Sequence, residues 1–176
     1  MSFNELMFRN VEGSSADPVR TWHPEVIASI LAYGGADDYA PVMNEIFADP
    51  WGPVARTVED IVRHLDLDDE DESVDSGTAA LFAAGLRYAR EDAETEEQSA
   101  VADELAQLVR RSGLRQTEFA ARLGTSAGRL SNYLRAKISP RASLMVRARR
   151  VAADAESSTG APGRQPSFRK PGLRKE

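Results

Sequence analysis

The apolar positions of this chain recur with helical spacing along most of its length. Apolar residues three and four positions apart predict four helices before residue 98, starting near Pro24, Val42, Pro53 and Ser76. Their apolar positions are, in chain order, Ile27, Ile30, Leu31; Val42, Met43, Ile46, Phe47; Val54, Val58, Ile61, Val62, Leu65; and Leu81, Phe82, Leu86. No segment alternates convincingly between apolar and polar residues. The pattern therefore predicts an all-α protein whose first half is a small helical bundle.

Breaks in this pattern divide the chain into four parts. Residues 1–20 show no sustained period and are interpreted as a flexible lead-in, followed by an acidic helical domain over 21–98. The acidic cluster Glu91 to Glu97 marks the boundary to a second helical domain over 99–155, which begins with a helix from Val101 to Ser112. Residues 156–176 are rich in Gly, Pro and basic residues, so a disordered basic tail is expected.

The net charge of −6 conceals two halves of opposite sign. Residues 1–98 contain 6 Lys+Arg and 22 Asp+Glu, a net charge of −16, whereas residues 99–176 contain 16 Lys+Arg and 6 Asp+Glu, a net charge of +10. Phosphate repels the first half and attracts the second. Of the 22 basic residues 19 are Arg, whose forked guanidinium suits phosphate and guanine.

The composition contains little that suggests catalysis. The absence of cysteine excludes disulfides, thiolate zinc sites and cysteine nucleophiles, and the histidines His23 and His64 lie far apart. The acidic run Asp66 to Asp75 is interpreted as a solvated connector rather than a calcium loop, since Asp71 replaces the required Gly. We expect no enzymatic activity, no cofactor and no metal. No apolar run is long enough for a membrane span and no secretory signal is evident, which favours a cytoplasmic protein. The aromatic-rich stretch from Trp22 to Trp51 is assigned to the core, with a partner surface or a ligand pocket as alternatives.

The segment from Gln116 to Tyr133 predicts two short helices that meet at a tight turn. Phe119, Ala120 and Leu123 give the first helix a narrow apolar face, and Gly124 can adopt the positive φ that ends it. Ser126 can cap the second helix, whose inward positions are Leu130 and Tyr133. The opposite face of the second helix has no apolar reason to be buried.

This segment resembles the phage-repressor-like, or Xre-type, helix-turn-helix family. The resemblance lies in Gln116-x-Glu118-Phe119-Ala120-x-x-Leu123-Gly124-x-Ser126, then Leu130-Ser131 and Ser139-Pro140, and it covers about residues 101–153. It implies a repressor-like fold with helices at about 101–112, 116–123, 127–136 and 140–153, and with a fifth helix truncated or absent. It also implies that the helix from 127 enters the major groove of double-stranded DNA.

The resemblance also supplies candidate DNA contacts. The candidate base contacts are Ser126, Ala127, Gly128, Arg129, Ser131 and Asn132, and the candidate phosphate contacts are Gln116, Thr125, Arg135, Lys137 and Arg141. We hypothesise that the small residues Ala127 and Gly128 let the helix sit deep in the groove. Arg147, Arg149 and Arg150 span too wide an arc of their helix for all to meet DNA, so some are expected to pair with the acidic half.

The leading hypothesis is a sequence-specific transcriptional regulator, a repressor, that binds DNA as a homodimer. Its N-terminal domain is then available to sense a small-molecule effector, bind a protein partner or support assembly. The alternative hypothesis is an antitoxin-like protein that neutralises a basic partner through its acidic half and represses its own operon through the basic half. A third hypothesis is internal control, in which the acidic half masks the basic half.

Overall fold

A computed structural model describes residues 7–65 and 76–159, and all regular elements in these ranges are helical. The elements are a short 3-10 helix at Val19–Thr21 and the α-helices Pro24–Tyr33 (α1), Ala36–Ala48 (α2), Pro53–Leu65 (α3), Ser76–Ser112 (α4), Gln116–Leu123 (α5), Ala127–Leu134 (α6) and Ala142–Thr159 (α7). The predicted all-α class is confirmed. The predicted acidic loop at 66–75 and the tail from residue 160 lie outside the described residues. The backbone divides into two compact units, Met1–Glu96 and Glu97–Glu176.

The core of the first unit is formed by the apolar stripes that the sequence predicts. Helix α1 packs on α3, and α2 contacts both of them. Gly85 of α4 packs directly against the side chain of Met43 of α2, which would have to move to admit a side chain at position 85. The buried core consists of Val26, Ile27, Ile30, Leu31, Val42, Ile46, Val54, Ala55, Val58, Val62, Phe82, Leu86 and Ala89. Phe47 and Leu81, both predicted on apolar faces, are instead about half exposed.

Part of the predicted lead-in packs on this core. Met7, Phe8, Val11 and Val19 contact it, and the ring of Phe8 meets the edge of Trp22 at a centroid distance of 5.5 Å. The indole N–H of Trp22 donates to the Asp17 carbonyl at 2.9 Å. The expectation of a loosely held segment is therefore wrong for residues 7–20. Isolated apolar residues without a repeating period anchor this segment, so a periodicity test overlooks them.

A salt bridge ties α4 to α3 within the first unit. The two Nη groups of Arg90 donate to the two carboxylate oxygens of Glu59 at 3.2 and 2.8 Å. The Nε–H of Arg90 donates to the Pro50 carbonyl at 3.2 Å. The hydrogen bonds from Arg90 to Glu59 hold the pKa of Glu59 below its ordinary value of 4.5, despite the opposing effect of desolvation. The bidentate geometry makes this pair more specific than an ordinary surface ion pair.

One helix runs where the sequence predicts two. Helix α4 extends without interruption over Ser76–Ser112, and the boundary between the two units falls within it. The acidic cluster Glu91 to Glu97 was predicted as the boundary between two domains, with a new helix beginning at Val101, but Gly and Pro are absent from residues 86–112. Ala and Glu have high helix propensity, so an exposed acidic run continues the helix instead of ending it. The predicted helix start at Val101 is therefore wrong, whereas the boundary between the two units does fall within the cluster.

The second unit packs the end of α4 and helices α5, α6 and α7 around its own core. Helix α5 contacts both α6 and α7. The buried residues are Leu105, Leu108, Phe119, Ala120, Leu123, Leu130, Tyr133, Leu144, Met145, Ala148 and Ala152. Helix α7 begins two residues later than expected and continues to Thr159, so 156–159, predicted as disordered, are helical. Over the described residues 97–159 there is no fifth helix.

A groove opens between α1 and α3 on the first unit. Its volume is about 660 Å³, and its lining includes Ala28, Ala32 and Ile61 as well as the carboxylates of Glu25 and Asp60. Tyr33 contributes to its rim and is 71% exposed. The assignment of the aromatic-rich stretch to the core is thus wrong for Tyr33, Phe47 and Trp51, which are all exposed. Among the helices described here, none has the length and apolar character needed to cross a lipid bilayer.

Candidate nucleic-acid interface

The turn between α5 and α6 is fixed by backbone hydrogen bonds and two capping residues. Gly124 has φ 69° and ψ 37°, a left-handed conformation that glycine adopts without strain. Its N–H donates to the Ala121 carbonyl, and the N–H of Thr125 donates to the Ala120 carbonyl, both at 3.0 Å. The hydroxyl of Ser126 then accepts the backbone N–H of Arg129 at 3.1 Å and caps α6. The predicted roles of Gly124 and Ser126 in this turn are confirmed.

Helix α6 has one buried face and one open face. Leu130 and Tyr133 are buried in the core of the second unit. Ser126, Ala127, Gly128 and Asn132 are exposed, and Ser131 is partly covered. A Cβ placed on Gly128 meets no atom within 4 Å. The first two turns of α6 therefore present a smooth surface with small side chains and one amide.

A groove lies beside this face, between α6 and the start of α7. Its volume is about 620 Å³. Its lining residues are Gly124, Thr125, Arg129, Tyr133, Ile138, Ser139, Arg141, Ser143, Leu144 and Arg147. The lining thus contains three arginines and several hydroxyl groups, whereas no carboxylate is found among its residues. Such a lining favours an anion, and phosphate is the anion that forked arginines suit best.

Two of the three groove arginines are held by hydrogen bonds to neutral oxygens. The Nε–H of Arg129 donates to the hydroxyl of Tyr133 at 2.9 Å. Nη1 of Arg147 donates to the carbonyl of Leu123, at the end of α5, at 2.9 Å. Both guanidinium groups retain other N–H donors, and neither forms an ion pair with a carboxylate in the part of the chain that the structure describes. Their positive charge is therefore not neutralised by the protein.

Three arginines elsewhere on the second unit are neutralised. Arg111, Arg115 and Arg149 pair with Glu156, Glu118 and Glu104 at N–O distances of 2.7 to 2.8 Å. A hydrogen bond from Arg149 holds the pKa of Glu104 below its ordinary value, and Arg115 does the same for Glu118. These carboxylates are thus ionised and occupied at neutral pH.

Arg149 forms its ion pair within the second unit, contrary to the expectation from the sequence. Arg149 was one of three α7 arginines of which some were expected to pair with the acidic half, but its partner Glu104 belongs to the second unit. Arg147, two residues earlier, points its charge into the groove. Arg147 and Arg149 thus have different environments, which a charge count along the sequence does not distinguish.

The predicted site residues lie in three different parts of the second unit: the groove, the open face of α6, and exposed positions outside both. Thr125, Arg129 and Arg141 line the groove. Ser126, Ala127, Gly128, Ser131 and Asn132 lie on or beside the open face of α6. Gln116 is exposed as the first residue of α5, and Arg135 and Lys137 are exposed after α6, but these three are not part of the groove lining.

Three groove residues were missed as contacts, namely Ser139, Ser143 and Arg147. Ser143 and Arg147 stand four residues apart and so share one face of α7. That spacing, close behind the Ser139-Pro140 motif, was the sequence signal from which these contacts could have been predicted.

This geometry agrees with the comparison with protein families. Residues 100–154 match the helix-turn-helix domain family. The matched segment contains the turn, the open face of α6 and the groove. A helix-turn-helix domain suggests a DNA-binding regulator. Comparison with curated proteins and with solved structures gives no significant match.

Proposed function

We propose that this protein is a sequence-specific transcriptional regulator that reads double-stranded DNA with α6 in the major groove. The observation that carries the proposal is the groove with three arginines and no carboxylate, directly beside the open face of the helix-turn-helix. The open face then meets base edges, while the groove takes the phosphates that flank them. The resemblance to phage repressors favours repression as the regulatory outcome.

The charge distribution within the second unit supports this orientation. Its three Arg–Glu ion pairs, counted over the described residues 97–159, neutralise arginines outside the groove. The unpaired arginines Arg129, Arg141 and Arg147 line the groove itself. DNA affinity depends on how many phosphates are neutralised by free cations. The groove beside the helix-turn-helix therefore has free positive charge, although other exposed cations of the described second unit, such as Arg122 and Arg150, also form no ion pair.

A dimer is part of the proposal. Helix α6 has eight residues, about two turns, and only one of its faces is open, so one copy contacts a few base pairs at most. Two copies on half-sites one DNA turn apart double the number of base pairs that are read. The paired half-sites then form a palindrome.

The test is selection of bound duplexes from a random DNA pool with the full chain and with the Gln116→Ala/Asn132→Ala variant. We expect a palindrome that the variant no longer selects. Salt-sensitive binding without a selected sequence would reduce the helix-turn-helix to a general DNA anchor. Absence of binding to any duplex at low salt would contradict DNA recognition altogether.

A matched pair of variants on α7 tests the orientation. Arg147→Ala removes a groove arginine, whereas Arg149→Ala removes an arginine that is paired with Glu104. If Arg147 neutralises one phosphate, its loss lowers the slope of log affinity against log salt by about 0.9, and the slope for Arg149→Ala stays close to wild type. Equal slopes for the two variants would contradict the proposed phosphate-binding face.

The exposed aromatic residues of the acidic unit support a second candidate function, an antitoxin-like protein. Tyr33, Phe47 and Trp51 are exposed on a half-chain of net charge −16, which favours a basic protein partner. Co-expression with the product of an adjacent gene tests this candidate. Relief of growth inhibition by the full chain, lost on Tyr33→Ala, would support neutralisation, and unchanged growth inhibition would refute it.

A sensing role for the acidic unit centres on the groove between α1 and α3. Its small apolar floor and its carboxylates Glu25 and Asp60 suit a small cationic ligand with an apolar body. Trp22 and Trp51 are the only tryptophans of the chain, and both belong to this unit. Ligand-induced stabilisation followed by tryptophan fluorescence, abolished by Ala28→Leu in the groove, tests the sensing role. Unaltered stability with cationic amphiphiles would refute it.

A further inference from the structure

Arg129 lies on the flank of α6 that faces the groove. At 3.6 residues per turn, Arg129 is separated from Tyr133 by about 40° around the helix, but from Gly128 by about 100°. Its Nε–H donates to the Tyr133 hydroxyl at 2.9 Å, and Tyr133 is itself buried. Arg129 and Tyr133 both line the groove, whereas Ser131 and Asn132 do not. The guanidinium of Arg129 is therefore turned away from the open face.

We propose that Arg129 binds a DNA backbone phosphodiester, that Tyr133 positions it, and that base reading by α6 depends on Asn132. This inference rests on the proposed function and changes the role of Arg129 from a base contact to a backbone contact. Arg129, Arg141 and Arg147 then form one phosphate-binding groove.

The hydrogen-bond inventory of Arg129 suits this role. A guanidinium has five N–H donors, and the bond to Tyr133 uses the one on Nε. The four N–H groups on the two Nη atoms remain available to the oxygens of a phosphate in a forked contact. Because Tyr133 accepts from Nε, the ring of Tyr133 fixes the direction in which this fork points.

The open face is then left with little capacity to identify a base. Ala127 and Gly128 have no side-chain donor or acceptor, and the hydroxyls of Ser126 and Ser131 pair with either kind of base edge. Asn132 is exposed and, within Ala127–Leu134, is the only residue on this face that can form paired hydrogen bonds, which suit adenine. Each copy of α6 thus discriminates strongly at one base pair.

The experiment measures the affinity of full-length variants for the selected site and for each single-base change in it, across a range of salt concentrations. The variants are Arg129→Ala, Arg129→Lys, Tyr133→Phe and Asn132→Ala, with Arg149→Ala as the control. Circular dichroism melting of each variant verifies folding, and Tyr133→Phe retains the buried ring.

A backbone contact predicts a loss that is the same for every sequence. Arg129→Ala should weaken binding about tenfold near 0.1 M salt and lower the salt slope by about one. Arg129→Lys retains the charge and should restore the slope. Tyr133→Phe should weaken binding to all sequences by a smaller common factor without a change in slope or melting temperature. Asn132→Ala should lower discrimination by about 5- to 150-fold at one base pair.

The opposite pattern would overturn the inference. If Arg129→Ala abolished discrimination at one base pair while the salt slope stayed unchanged, Arg129 would be a base-reading residue. Wild-type affinity in Tyr133→Phe would refute the positioning role of Tyr133. Failure of the wild-type chain to bind any duplex is a separate outcome, visible before any variant is made, and it would overturn the proposed function together with this inference.

Discussion

Replacing Gly128 with alanine should have opposite effects on the stability of the second unit and on its affinity for DNA. The new methyl group meets no protein atom within 4 Å, so the free protein accepts it without rearrangement. A glycine inside a helix is less favourable than alanine by roughly 0.5–1 kcal/mol, and the variant should be more stable by up to this amount. If α6 sits deep in the major groove, the same methyl group contacts a base edge.

The cost on DNA follows from the size of a methyl group. Carbon atoms pack no closer than about 3.5 Å, so the added methyl pushes α6 outward by about 1 Å. A hydrogen bond of about 2.9 Å lengthened by this amount is lost. The paired hydrogen bonds of Asn132 contribute about 1–3 kcal/mol of discrimination, and we expect affinity for the selected site to fall by about 5- to 150-fold.

The assay combines urea unfolding, monitored by circular dichroism, with DNA binding at fixed salt. Gln107→Ala, on an exposed position of α4, serves as the control that raises helix propensity outside the interface. Gly128→Gln should bind poorly or select a different sequence. Undiminished affinity and unchanged site preference in both Gly128 variants would refute the close approach of α6 to the bases.

Two further predictions concern stability. Ala136 has φ 52°, a conformation that disfavours side chains, so Ala136→Gly should stabilise the second unit by about 0.5–1 kcal/mol in urea unfolding. Ala121→Gly, at an exposed helical position, should instead destabilise the second unit. If both substitutions changed the free energy of unfolding in the same direction, backbone strain at Ala136 would be contradicted. Glu59→Gln should destabilise the first unit by about 1 kcal/mol at pH 7, a value reduced for the partial exposure of the pair. Arg90 lowers the folded-state pKa of Glu59 below 4.5, so this stabilisation is present above about pH 4.5 and lost as the pH falls through the folded-state pKa. The stabilities of wild type and Glu59→Gln, followed by tryptophan fluorescence, should therefore converge as the pH falls through the folded-state pKa of Glu59, and a constant difference would contradict the role of the ion pair.

The features that depend on a strong local sequence signal were predictable from the sequence. The positive φ of Gly124, the cap at Ser126 and the buried pair Leu130 and Tyr133 each follow from the intrinsic preference of one residue type at one place in a turn. The apolar stripes of α1 and α3 are equally local, because burial of one helix face imposes a spacing of three and four.

The features that were missed depend on partners distant in sequence. Phe8 packs on Trp22 without any periodic pattern around it. Arg147 and Arg149 look alike in the sequence, yet one donates to the Leu123 carbonyl and the other to Glu104, 45 residues away. Which charge stays free is decided by tertiary packing, so the phosphate-binding groove was only partly visible beforehand.

The surface described for α6 and its groove has a consequence for the thermodynamics of association. Ordering a free arginine side chain costs about 1.5–2 kcal/mol of rotamer entropy. Arg129 and Arg147 are already ordered by Tyr133 and by the Leu123 carbonyl, and Ala127 and Gly128 have no rotamers to lose. In the proposed complex the ordering of these two arginines thus takes place when the protein folds rather than when it meets DNA. The encounter rate is then limited by diffusion and long-range attraction, with little delay from a conformational search at the interface.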